Sequence, residues 1–336
     1  MKDLFRHHET FVLIILILVS IVITAINPSY FTLENLFDLL RNYSFLGIFA
    51  VGVTFVLISG GIDISFTAIA SVAEYIMAFL VIKYGGNTMM AFMIAAVVGT
   101  GLGMLNAVLI YCLKIPSIIT TIATLNIYYG LLTVMSGGKW IYAFPSGFRT
   151  FATVRVFTLI NYNGASYGLS IITVIWILVI ICAWITLRYT TLGRSIYAMG
   201  GNPSAARRVG FNIFRVQIFV YSFMGFTAGL AGFVQALVLQ TVAPNSIVGK
   251  ELDVVAAVVL GGSSLAGGVG TISGTILGVA LIAIMNNGLT LLRISSFWYN
   301  VVIGLVILLS VTFSSFRHRL SPRGVNRLIG EIGGKP

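Results

Sequence analysis

The chain has 336 residues, 58% of them hydrophobic and 9% charged, with a mean hydropathy of +1.02. Soluble globular domains carry roughly 25% charged residues, so the composition excludes an ordinary soluble enzyme or binding module and describes an integral membrane protein. The formal net charge of +11 does not point to nucleic acid, because the basic residues lie between apolar runs instead of on one soluble face.

Crossing a hydrocarbon core takes roughly 20 apolar residues of helix, and that ruler predicts about ten spans. They cover 11–29, 43–60, 64–82, 88–112, 116–136, 168–187, 216–238, 252–262, 271–292 and 296–315. The first follows Lys2 and Arg6 as a secretory signal would, but it ends in INPSYF without a small-x-small cleavage site and reads as an uncleaved helix. The eighth is too short to cross alone and is expected to be a longer, irregular or tilted element with a different start. Cys112 and Cys182 fall inside spans and offer no disulfide framework. With the N-terminus inside, thirteen Lys and Arg lie on the cytoplasmic side and seven on the other, so both termini are expected in the cytoplasm. The chain then reads as one all-α transmembrane domain, 1–336, with a basic cytoplasmic segment at 188–215, an external stretch at 140–158 and a basic cytoplasmic tail at 316–336.

Small residues mark close helix packing: Gly99 and Gly103, Gly225 and Gly229, and Gly270, Gly274 and Gly278 each recur every fourth residue. Two apolar runs are interrupted by glycine pairs, in LISGGIDIS (57–65) and VVLGGSSLAGGVG (258–270). Each is either a broken helix lining a path or a turn between spans, since irregular backbone is tolerated at membrane depth only where protein or water satisfies it. Asp63 and Glu74 are expected on one face of span three, about 16 Å apart on a regular helix. Asp63, following Gly60 and Gly61, reads first as a helix cap. Glu74 reads as a path-lining or interhelical residue, because intramembrane carboxylates face a cavity or a partner. Ser59, Ser65, Asn106, Asn126, Gln235, Asn286 and Asn287 can bond a hydroxylated solute or a neighbouring helix. Tyr128, Tyr129, Trp140, Trp298 and Tyr299 lie near span ends, where interfacial anchoring is the default.

The catalytic inventory is thin. His7, His8 and His318 lie outside the spans, so no membrane-embedded metal site is expected, and no G-x-x-x-x-G-K-[ST] loop is present to bind ATP. Nucleotide-driven transport would need another subunit.

Taken in order, SGGIDIS, LKIPSIITTIATL (113–125), GRSIYAMGGNPSAARRVGFN (193–212) and VVLGGSSLAGGVGTISGTILG (258–278) resemble the permease subunits of bacterial ATP-binding cassette importers for ribose, galactose and xylose. The resemblance covers nearly the whole chain, and SGGKWIYAFP (136–145) looks most like the rhamnose and autoinducer-2 subgroup. It implies a multi-pass protein of the bacterial inner membrane, without cofactor of its own. Its implied partners are cytoplasmic ATPase subunits carrying ATP and Mg, a second permease, identical or related, and an extracytoplasmic solute-binding protein. It also implies that Gly193, Arg194, Gly200, Asn202, Ser204, Ala205, Ala206, Arg207, Arg208 and Gly210 belong to a segment coupling the permease to the ATPase. Asn202 or Ser204 can cap a helix there, the two alanines allow close docking, and the arginines suit acidic edges. Phe66, Thr67 and Glu74 depart from the small residues usual after GGIDIS. The alternatives are a secondary transporter, a permease of the same fold for a nucleoside or branched-chain amino acid, and a membrane enzyme.

Overall fold

A computed structural model of the chain describes residues 8–161, 164 and 166–295, and 297–299, 301, 304, 305 and 308 beyond them. The protein is an all-α bundle, and eight of its described helices are long and apolar enough to cross a membrane. These are α1 (His8–Ile26), α2 (Leu33–Ile58), α3 (Phe66–Tyr84), α4 (Thr88–Leu113), α5 (Ser117–Ser136), α7 (Ile171–Tyr189), α10 (Ile213–Leu239) and α12 (Ile272–Leu291), with the short α6 (Ser146–Thr153), α8 (Thr191–Gly201), α9 (Pro203–Arg208) and α11 (Glu251–Leu260) between them. Most of the expected tenth span, 296–315, lies outside the described residues.

The second span begins ten residues before its expected start. Thr32 accepts a hydrogen bond from the Asn35 amide and so starts α2 at Leu33, whereas Glu34, Asp38 and Arg41 had masked that first stretch from a hydropathy ruler. The eighth expected span is a half-length helix, not a longer one: α11 has 10 residues, about 15 Å of rise. Its start is close to the expected one, and glycines end it.

The core is built around α10, which packs against α2, α3 and α4. Its contact with α4 is backbone to backbone. A Cβ at Gly103 would come within 2.8 Å of the Gly225 Cα, and one at Gly99 within 2.9 Å of the Gly229 Cα, so the two glycine stripes interlock as small residues permit. Fully buried Phe49, Phe55, Phe66 and Phe233 fill the remaining volume. At the end away from α8 and α9, α6 and a two-stranded hairpin, pairing Leu159 with Tyr167, fold over the bundle.

The segment 188–215 is mostly helical, running from the end of α7 through α8 and α9 into α10. Three caps set its course: Thr190 accepts from the Gly193 amide at 3.0 Å, Asn202 from Ala205 at 3.0 Å and Asn212 from Arg215 at 3.1 Å. Asn202 is therefore the cap of α9, and the Ser204 hydroxyl donates to it at 2.7 Å.

Candidate functional site

The chain does not simply turn between α2 and α3. Phe66, the first residue of α3, has its ring 5.1 Å from that of Phe49, nine residues before the end of α2. At 1.5 Å per residue this is about 14 Å inside the bundle. Residues 59–65 are thus a non-helical strand of backbone climbing back from the end of α2 to the middle of the fold. Asp63 and Glu74 therefore do not share a regular helix, because the helix begins only at Phe66.

Backbone at such depth must be satisfied by protein, and side chains of α5, with Asp63 of the segment itself, supply the partners. The Ile62 amide donates to Ser117 Oγ at 2.9 Å, and the Ile64 amide to Thr121 Oγ1 at 3.4 Å, while Thr121 Oγ1 donates to the Ile62 carbonyl at 3.3 Å. Ser117 and Thr121 are four apart and so share a face of α5. Asp63 Oδ1 accepts from the Ser65 amide at 2.7 Å and from its hydroxyl at 2.6 Å, which fixes the turn into α3. Asn106 of α4 donates to Ser65 Oγ at 2.7 Å, and Tyr128 of α5 donates to Asn106 Oδ1 at 3.0 Å. Asp63, Ser65, Asn106 and Tyr128 form one buried chain, and Tyr128 is a core residue, not an interfacial anchor. Asp63 Oδ2 is buried with no hydrogen-bond partner among the described residues.

Below this polar segment the two glycine-rich breaks meet. The Gly268 amide donates to the Ile58 carbonyl at 2.9 Å, joining the end of α2 to the loop that follows α11. A Cβ at Gly267, where φ is +87°, would lie 2.7 Å from the Gly60 Cα, and Gly60 itself has φ +84°. Both positions need glycine on conformational and on spatial grounds. The last turn of α8 closes the junction: a Cβ at Gly200 would overlap the Ile58 carbonyl and lie 2.7 Å from the Gly268 nitrogen, and one at Gly268 would lie 3.0 Å from the Gly201 Cα. Tyr197 of α8 donates to the Gly270 carbonyl at 2.7 Å. Burial pushes its hydroxyl pKa up, with Arg188 pulling it the other way.

The other expected residues fall into distinct environments. Ser59 back-bonds to the Val56 carbonyl at 2.7 Å. Glu74 is completely buried, with no partner for either carboxylate oxygen among the described residues, and its Cβ would be 3.1 Å from one built on Gly232 of α10. Gln235, one turn further along α10, also buries an unpartnered oxygen. Asn126 does not join the polar chain; it sits on the exposed face of α5 and bonds the Ile122 carbonyl at 2.8 Å. Asn287 pairs with Asn35 at 3.0 Å, tying α12 to α2, and Asn286 lines a cavity together with Tyr43. On α8 and α9, Arg194, Asn202, Ser204, Ala205, Arg207 and Arg208 are exposed, as is Gly210, whereas Gly193 and Ala206 are buried, so Ala205 alone of the two alanines is at the surface. Sequence reasoning missed Ser117, Thr121, Tyr197 and Tyr221, whose hydroxyl lies against Gly61. The four-residue spacing of Ser117 and Thr121 was the available signal for the first two.

Residues 35–311 match the family described as "Branched-chain amino acid transport system / permease component". The chain belongs to this permease family. Among its relatives, the ribose import permease protein RbsC of Escherichia coli strain K12 is 36% identical over 301 residues, which cover 89% of this chain and 91% of that protein. RbsC of Bacillus subtilis strain 168 is 36% identical over 298 residues, 88% of this chain and 89% of that protein. The autoinducer 2 import system permease protein LsrC of Photorhabdus luminescens is 32% identical over 316 residues, 93% and 91%. No solved structure matches the chain. Family and apolar helices together make this a multi-pass protein of the inner membrane.

Proposed function

We propose that the chain is the membrane-spanning permease of an ATP-driven importer carrying a monosaccharide or sugar-like solute of the ribose or autoinducer-2 type. In this reading both termini and the α8–α9 segment face the cytoplasm. Separate ATPase subunits, which bind ATP and Mg, dock on the exposed side of α8 and α9. A second permease completes the membrane unit, and an extracytoplasmic binding protein delivers the solute.

The observation that carries the reading is the seat of Gly200 and Gly201 against both helix breaks at once. A displacement of α8 by a docked partner is passed by direct backbone contact to residues 58–60 and 267–268. From there it reaches the polar segment that opens the middle of the bundle. Packed backbone is nearly incompressible, so such a contact transmits movement instead of absorbing it.

Charge reversal tests the docking face. Arg207 and Arg208 are exposed and lie in the last turn of α9, so Arg207→Glu with Arg208→Glu turns attraction to an acidic partner into repulsion. Contacts of this kind are worth about 0.2–1 kcal/mol each at a solvated rim and about 2–5 kcal/mol where desolvated. Less ATPase is expected to co-purify, and solute-stimulated hydrolysis is expected to fall. Unchanged assembly and transport would reduce the segment to a topology signal.

A further inference from the structure

A cavity of about 350 Å³ opens between α2, α11, α12 and Tyr299, at the end of the bundle opposite α8 and α9. Its rim includes exposed Asn42, and its half-buried floor carries Tyr43, Asn286, Asp253 and Tyr299. Tyr43, Asn286, Asp253 and Tyr299 line the same space, and Lys250 Nζ stands 3.8 Å from Asp253 Oδ2. In a membrane protein this is a concentrated set of donors and acceptors around a space at the small end of ligand pockets.

The lining suits one chemistry. For a hydroxyl, an ammonium donates, a carboxylate accepts and an amide does both, and two tyrosine rings present flat apolar surface beside a polar tip. A small, neutral, polyhydroxylated solute uses both, its hydroxyls on Asn286 and Asp253 and its C–H face on a ring. An apolar ligand would displace water from the amide and carboxylate groups without replacing its hydrogen bonds, which is costly.

The cavity is also connected. Asp253 lies in the first turn of α11, and Gly261 follows the last residue of that helix. Beside Asp253, Glu251 accepts from Thr67 in the first turn of α3, which ties the head of α11 to the end of the climbing segment. The loop after α11 then runs to Gly267 and Gly268 at the α8 junction. One short helix and the loop that follows it therefore connect the cavity floor to the place where α8 meets both breaks.

We propose that this cavity is a solute-binding station on the permease itself, selective for a small polyol or monosaccharide and coupled to the α8 junction through α11. The proposal rests on the import reading above. It adds that the permease binds solute in its own right, where delivery by a binding protein through an unselective path would need no such site.

The test uses the full-length permease in nanodiscs, without binding protein, with D-ribose and L-rhamnose as probes followed by saturation-transfer NMR. A saturable signal is expected from at least one sugar. Asn286→Leu, which removes the amide at similar side-chain length, is expected to weaken it at least tenfold. Tyr43→Phe, a smaller change, serves if the leucine variant does not fold, and is expected to weaken binding several-fold. No saturable signal from the parent, or affinity unaltered in both variants, overturns the site.

Uptake by the assembled importer in vesicles separates the two readings. Where one binding protein carries both sugars, the variants are expected to shift the ratio of their uptake rates, which a loss of folded protein would scale equally. Import by the parent with an unaltered ratio in the variants refutes the cavity and leaves the import reading intact. Failure of the parent to import either sugar with its ATPase and binding protein present removes the import reading and the cavity with it.

Discussion

Gly200→Ala perturbs the junction between α8 and the two helix breaks by a single methyl. That methyl overlaps the Ile58 carbonyl and lies 2.7 Å from the Gly268 nitrogen, and both neighbours are backbone, with no flexible side chain to swing aside. Overpacking of this kind costs about 1–3 kcal/mol. Relief by separation breaks the Gly268 amide to Ile58 carbonyl bond, a further loss of about 0.5–1.5 kcal/mol. A total of about 2–4 kcal/mol is a substantial share of the roughly 5–15 kcal/mol typical of a folded domain. Gly201→Ala is the internal control, because a Cβ there meets nothing within 4 Å. Both variants are compared by thermal unfolding in detergent and by solute-stimulated ATP hydrolysis of the assembled importer, normalised to folded permease. Gly200→Ala is expected to unfold several degrees lower and to lose stimulation, with Gly201→Ala close to the parent. If the two variants behave alike, α8 does not bear on the helix breaks in the way the contacts indicate.

Glu74→Leu is expected to stabilise the protein by about 1–3 kcal/mol, the cost of leaving a buried polar group unsatisfied, while slowing uptake; a lower unfolding temperature would show that the carboxylate has a partner in the native bundle. For orientation, a cysteine at position 207 is expected to react with a membrane-impermeant reagent only in inside-out vesicles and one at position 140 only in intact cells, and labelling of position 207 from outside would invert the topology.

Legibility in the sequence followed the range of the forces involved. Spans of uniform apolarity, such as α4 and α12, are set by local composition and appear within a residue or two of their expected places. The first ten residues of α2 were hidden because the rule measures transfer into lipid, whereas Glu34, Asp38 and Arg41 sit on a stretch whose helix is fixed by the Thr32 cap. The glycine pairs announced where the helices break, but not that the two breaks touch each other, since that contact joins residues about 200 positions apart in the chain. Asn126 and Asn106 are the same residue type in equally apolar surroundings. Only the rotation of α4 and α5 in the bundle places one on Ser65 and the other on the exposed face. The helical nature of 188–215 was written in its caps, and its four arginines after position 190 drew attention away from Thr190 and Asn212.

The arrangement of the breaks explains why glycine is concentrated where it is. A membrane helix that continued from α2 without interruption would satisfy its own backbone and present no movable joint. Interrupting it exposes amides and carbonyls at 59–65, which Ser117 and Thr121 of α5 then satisfy, while Asn106 of α4 holds the Ser65 hydroxyl. These are side-chain bonds, exchangeable for bonds to a hydroxylated solute or to water at little net cost, unlike the intrahelical bonds they replace. The glycines at 60, 200, 267 and 268 meanwhile bring three backbones together with no side chain between them. The polar segment is thus the part of the bundle that can change partners, and the glycine contact is the part that cannot deform. Under the proposed coupling, a force arriving at α8 would be expended on the former, so the same sequence feature that breaks the helix would also decide where the bundle opens.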